Sequence, residues 1–82
     1  MLRSEYKDII RAHLHEIIDH YDLFEPPVIG DWWWYLDNVA INVHDYDEDG
    51  IISVNIYDYF DDAGVVDMQE SYDLTLEELK KL

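Results

Sequence analysis

The 82-residue chain has no cysteine, two prolines, three glycines and, between residues 12 and 79, no lysine or arginine. Without cysteine there is neither a disulfide framework nor a Cys-ligated zinc module. No stretch approaches the roughly 18 apolar residues of a membrane span. The opening MLRSEYKDII has no apolar signal-peptide core, so the expected compartment is the cytoplasm. Also missing are a Gly-rich phosphate loop, a nucleophile elbow and a thiol nucleophile. Carboxylates are so frequent that pairs of them single out no acid–base dyad, and a middle segment without cations has nothing to hold an anionic substrate. The expectation is a protein that is not an enzyme and uses no cofactor.

What is present is negative charge. Twenty Asp and Glu stand against five Lys and Arg, a formal net charge of −15. Arg3, Lys7 and Arg11 lie near the start and Lys80 and Lys81 at the end, so eighteen of the twenty carboxylates occupy residues 12–79, where no salt bridge to a neighbour within the segment can neutralise them. Such self-repulsion opposes a compact state and is screened by salt. Disordered acidic chains are poor in aromatic and β-branched residues. This one is 49% hydrophobic and 15% aromatic, which argues for a folded core. Residues 1–82 make one domain, a size that buries only about two-thirds of its unfolded surface.

Residues 4–22 read as an amphipathic helix: Tyr6, Ile10, Leu14, Ile17 and Tyr21 recur at three- and four-residue intervals, Ile9 and Ile18 widen the stripe, and Ser4 suits the N-cap. Pro26-Pro27 then imposes an extended connection ending at Gly30. From Asp31 the period becomes two, predicting strands over 32–36, 39–46, 51–60 and 65–73 in an antiparallel meander. Closing the middle hairpin about Glu48-Asp49 sets Ile41 opposite Ile56 and Val43 opposite Val54. Closing the first about Asp37-Asn38 adds Trp32, Trp34 and Leu36 to that face. In the last hairpin, one bulged residue with Gly64 left-handed brings Val66, Met68, Tyr72 and Leu74 to the core side. Thr75 and Glu78 have capping-box spacing, with Leu74 and Leu79 as a hydrophobic staple, so a short helix closes the chain. The expected fold is α+β, an N-terminal amphipathic helix packed on a four-stranded antiparallel meander with a short C-terminal helix.

Three groups of residues invite a functional reading. "DYDEDGIIS", residues 45–53, begins like a calcium loop, but its twelfth position is Ile56 where such a loop needs a bidentate acid. Its flanks alternate as strands, so it reads as a hairpin tip presenting Asp45, Asp47, Glu48 and Asp49. His13, Glu16 and His20 share one helix face and His15 pairs with Asp19. The spacing is not that of a zinc protease, and no metal site is expected. In "WWWYL", alternation sends Trp32 and Trp34 inward and Trp33 and Tyr35 outward, onto a face that also carries Asn42, His44, Tyr46, Ser53, Asn55, Tyr57 and Tyr59. Exposed aromatics gathered among carboxylates exceed what solubility requires and mark an interface. The alternative is that the first helix or a second copy of the chain covers that face, which admits a homodimer.

In size, charge, lack of cysteine and helix-plus-meander layout, the chain resembles the small acidic inhibitors of phages and mobile elements, the anti-CRISPR and anti-restriction DNA mimics. The likeness is one of class, spans the whole chain and transfers no residue roles. It implies a protein–protein inhibitor that occupies the basic nucleic-acid-binding surface of a nuclease or of a CRISPR or restriction effector, in the host cytoplasm, without binding nucleic acid or membrane itself. The residues expected at that contact are Asp45, Asp47, Glu48, Asp49, Asp58, Asp61 and Asp62, with Trp33, Tyr35, Tyr57 and Tyr59. An immunity protein or antitoxin neutralising a basic nuclease toxin would use the same physics. A calcium-responsive binding module built on residues 45–53 is a further alternative, and halophilic solvation would not by itself explain the aromatic face. Calcium added in millimolar excess is expected to leave the melting temperature and tryptophan emission unchanged; a calcium-dependent rise in melting temperature would favour the calcium module instead.

Overall fold

The computed structural model describes residues 2–23, 25, 27–45 and 51–82; the centre of the acidic segment, residues 46–50, lies outside them. The element order is α1 (Ser4–Tyr21), β1 (Asp31–Tyr35), β2 (Val39–Asp45), β3 (Ile52–Phe60), β4 (Gly64–Leu74) and α2 (Leu76–Lys80). The four strands form one antiparallel sheet in the order β1-β2-β3-β4, so the fold is the α+β meander that the hydrophobic periods predict.

Register follows the expected parity. Ile41 pairs with Ile56, Val43 with Val54, Trp32 with Val43 and Trp34 with Ile41. These residues share one face with Tyr72 and Leu74, and α1 lays Tyr6, Ile10 and Ile17 onto it. Leu79 of α2 is fully buried in the same core. Burial of these aliphatic and aromatic side chains, each contributing about 1.5–3 kcal/mol, supplies the main driving force. The capping box forms as expected: the Glu78 amide donates to the Thr75 hydroxyl at 3.2 Å and the Thr75 amide to the Glu78 carboxylate at 3.1 Å.

Two local expectations are corrected. Arg3, not Ser4, occupies the N-cap of α1, and no side chain caps it; Ser4 is already helical and the first turn is closed by Tyr6 and Lys7 amides on the Arg3 carbonyl. The last hairpin contains two register slips, one between Ile56 and Tyr57 and one between Tyr57 and Tyr59, where one bulge was expected. Gly64 is left-handed at φ +75°, and Tyr72 and Leu74 do reach the core side. Met68, however, falls opposite Tyr57 on the other face, and Val66 is also exposed. The start of α1 lies beside Val39, Ile56 and Glu70, so the hairpin tip beyond Asp58 projects past the helix and has no core to enter.

The linker before β1 is pinned to the sheet. Both oxygens of Asp45 accept backbone amides, from Ile29 at 2.8 Å and Gly30 at 3.2 Å, and the Trp32 indole donates to the Ile29 carbonyl at 2.7 Å. Ile29 is thereby buried. Gly30 turns the chain at φ +91°, and a Cβ there would lie 2.8 Å from His20 Nε2, on a ring that is already held edge-on to Trp32. Gly30→Ala is therefore expected to lower the unfolding free energy by about 2 kcal/mol, from left-handed strain plus displacement of His20. Gly64→Ala meets open space and should lose only about 1 kcal/mol. Urea titrations of the two variants compare them directly, and equal losses would mean that the His20 ring steps aside freely.

Candidate functional site

The sheet face away from α1 is built from three cross-strand rows. Register aligns Asp31, His44, Ser53 and Asp73; then Trp33, Asn42, Asn55 and Ser71; then Tyr35, Ala40, Tyr57 and Met68. Tyr59 and Val65 continue beyond them. One end of the face is thus polar and the other aromatic and apolar. Both helices place their buried residues against the opposite face.

The polar end is an ordered chain of hydrogen bonds across all four strands. Ser71 Oγ donates to Asn55 Oδ1 at 2.7 Å, Asn55 Nδ2 to Asn42 Oδ1 at 3.2 Å, and Asn42 Nδ2 to Asp31 Oδ1 at 2.6 Å. Side branches come from Ser53 Oγ to Asn55 Oδ1 at 3.2 Å and from Asn42 Nδ2 to the Trp32 carbonyl at 3.1 Å. His44 Nδ1 lies 2.6 Å from Asn42 Oδ1. The amide oxygen can only accept, so that nitrogen carries the proton. Every donor in the chain points toward β1, and the chain ends on the Asp31 carboxylate, its strongest acceptor. Asn42, Ser53 and Asn55 are at most 4% exposed although they lie on the side away from the core. Burying amides there is tolerable because each is bonded; an unsatisfied buried polar group costs about 1–3 kcal/mol, and among the described residues there is none.

The other end is an aromatic cluster. Trp33 stacks near Tyr35 with ring centroids 6.3 Å apart and meets Tyr57 at 5.6 Å, and Tyr35 meets Tyr59 at 4.9 Å. These distances fall in the range where ring pairs attract. Tyr35 is 55% and Met68 54% exposed, so the cluster opens to solvent. Trp32 and Trp34 lie on the core side, meeting His20 and His13 of α1. Between the two ends, beside the linker at Val28 and Gly30, lies a shallow depression of about 560 Å³ against Asp31, Trp33, Asn42 and Tyr57.

The expected contact residues divide into distinct roles. Trp33, Tyr35, Tyr57 and Tyr59 are brought together on the outer face. Asp45 spends both oxygens on the linker amides. Asp58 accepts from the Gln69 amide at 2.7 Å on the other face of β3. Asp61 and Asp62 are exposed in the turn between β3 and β4. Asp47, Glu48, Asp49 and Tyr46, the last expected to face outward, lie outside the described residues. Sequence reasoning missed Asp31, Ser71 and Met68. The usable signal for the ladder was that Asn42 and Asn55 sit at directly opposed register positions, each between two apolar neighbours. Met68 could not be placed without the two slips.

Few cations answer these carboxylates. Among the described residues the one Lys or Arg ion pair is Arg11 with Asp8 at 3.2 Å, on the exposed side of α1. His13 with Glu16 at 3.5 Å and His15 with Asp19 at 3.1 Å become ion pairs only when the imidazoles are protonated. No three His, Asp or Glu of the described residues gather closely enough to hold a metal ion. The Tyr72 hydroxyl donates to Glu70 at 2.6 Å, and this bond, followed by desolvation, pushes its pKa above the ordinary phenol value. No helix among the described residues is long and apolar enough to cross a membrane. Comparison with protein-family models, curated proteins and solved structures finds no match.

Asp45→Ala removes the acceptor of two backbone amides and is expected to lower stability by about 2–3 kcal/mol. Asp61→Asn and Asp62→Asn, at an exposed turn, should stay within about 0.5 kcal/mol of the parent. Urea midpoints at unchanged slope test the contrast; a neutral Asp45→Ala would mean that the linker is held by Trp32 and Ile29 alone.

Proposed function

We propose that this chain is an acidic, non-catalytic inhibitor that docks on the basic nucleic-acid-binding surface of a nuclease or of a CRISPR or restriction effector and blocks it sterically and electrostatically. The observation that carries this reading is the pairing of an open aromatic cluster with carboxylates that no lysine or arginine of residues 12–79 can answer. The five cations all lie in or beside the two helices; Arg3 borders the sheet near Asp58 and Glu70, and the outer sheet face carries no lysine or arginine among its described residues. A net charge of −15 on a molecule 38 Å long, 38 divided by 15, is roughly one charge per 2.5 Å. Duplex DNA carries about one per 1.7 Å of axis. A groove lined to receive phosphates therefore meets a comparable charge density, and the complementary fields raise the rate of encounter.

The aromatic cluster gives such a contact what charge alone does not. Exposed ion pairs contribute little to affinity, about 0–1 kcal/mol each, whereas buried Trp and Tyr are among the residues that dominate interfaces. In this reading Asp61 and Asp62 at the outer turn, together with Asp47, Glu48 and Asp49, steer the approach, and Trp33, Tyr35, Tyr57 and Tyr59 hold the bound state.

The test is inhibition of basic nucleases and effectors, starting with those retained from host lysate on the immobilised protein. Binding is expected to weaken at least tenfold between 50 mM and 500 mM salt, and duplex DNA should displace the inhibitor. Neutralising Asp47, Glu48 and Asp49 together, or Asp58, Asp61 and Asp62 together, should reduce inhibition about tenfold or more. Full inhibition by both triple variants would sink the proposal.

A further inference from the structure

The depression beside the linker is lined by two carboxylates, Asp31 and Asp45, the Trp33 and Tyr57 rings, the His44 imidazole that Asn42 holds, and no lysine or arginine among its described residues. The two acids are not equivalent. Asp45 is saturated by the Ile29 and Gly30 amides. Asp31 opens β1 on the exposed surface, and only its Oδ1 is engaged, by Asn42. Asn42 itself makes bonds to Asp31, Trp32, His44 and Asn55, so the floor is fixed before anything binds.

We infer that this depression takes the guanidinium of an arginine, presented by the basic partner proposed above; the inference rests on that reading and names the group recognised. A planar cation fits each part of the lining. Its face stacks on Trp33 or Tyr57, where the ring quadrupoles attract positive charge. Its forked N–H groups reach the remaining oxygen of Asp31 in a charge-assisted hydrogen bond. Lysine matches less well: its ammonium is compact and strongly hydrated, without a plane to stack or a fork to bridge. The volume, about 560 Å³, is that of a small-ligand site and admits the methylene stem with the head group. The fixed floor keeps the ordering penalty of binding small.

The test needs no partner. Tetra-arginine amide and tetra-lysine amide, equal in charge, are titrated into the full chain by calorimetry, with tryptophan emission as a second readout. Tetra-arginine is expected to bind at least fivefold more tightly than tetra-lysine. Asp31→Asn, which keeps an oxygen for the Asn42 amide, should bring the arginine peptide to the lysine level, and Trp33→Leu should do the same. Glu77→Gln, an equal charge loss on exposed α2, should weaken both peptides less than twofold. Equal affinity for the two peptides, or an equal loss in Asp31→Asn and Glu77→Gln, overturns the inference. Melting curves establish that each variant is folded, and if Trp33→Leu is not, Asp31→Asn decides. Loss of arginine preference with DNA-competed inhibition intact removes this slot and leaves the inhibitor reading standing. Arginine preference without salt-sensitive inhibition of any nuclease does the reverse.

Discussion

The antiparallel pairing of β2 with β3 decides what each face of the molecule is made of. Ile41 against Ile56 and Val43 against Val54 put four aliphatic side chains under α1, and the intervening pair Asn42–Asn55 goes to the other side. A one-residue slip would exchange the sets, exposing the aliphatics and driving two amides and a histidine under the helix. Two constraints therefore hold the same register: apolar burial on one face and amide bonding on the other. The outer ladder adds specificity to the core's driving force, because its bonds close only when all four strands are aligned.

Charge works against this arrangement. Eighteen carboxylates in residues 12–79 repel one another, and the described ion pairs do little to offset them because they lie on the exposed surface of α1. The fold accommodates the acids by leaving most of them in solvent and giving those that border the sheet donors of their own. Asp45 receives two backbone amides, Asp58 the Gln69 amide and Asp31 the Asn42 amide. The acids that stay in water at the β3–β4 turn, Asp61 and Asp62, have no such structural duty.

Much of the architecture was legible because hydrophobic period and turn chemistry agree. The three- and four-residue spacing from Tyr6 to Tyr21 gave α1, alternation across Ile41, Val43, Val54 and Ile56 gave the sheet, and Thr75 with Glu78 gave the second helix start. The same alternation placed Trp33, Tyr35, Tyr57 and Tyr59 together. What it could not reach depends on three-dimensional neighbours. Asp45 reads as one more acid of a charged hairpin until the linker amides of Ile29 and Gly30 are seen to close on it. Met68 changes face through slips that leave no mark in composition. Asn42 and Asn55 look like ordinary outward polar residues, yet they are buried and bonded into a ladder that spans four strands.

The three consecutive tryptophans carry a consequence for observing this protein. Trp32 and Trp34 lie between sheet and helix against His20 and His13, while Trp33 stands on the outer surface beside Tyr35 and Tyr57. Adjacent positions in the chain thus look into two separate environments. With Trp33 replaced, the remaining indole signal comes from the inner pair and follows the docking of α1 alone. With Trp33 as the sole tryptophan, the signal follows whatever settles on the open face. A single tripeptide holds separate reporters for the integrity of the fold and the occupancy of its surface.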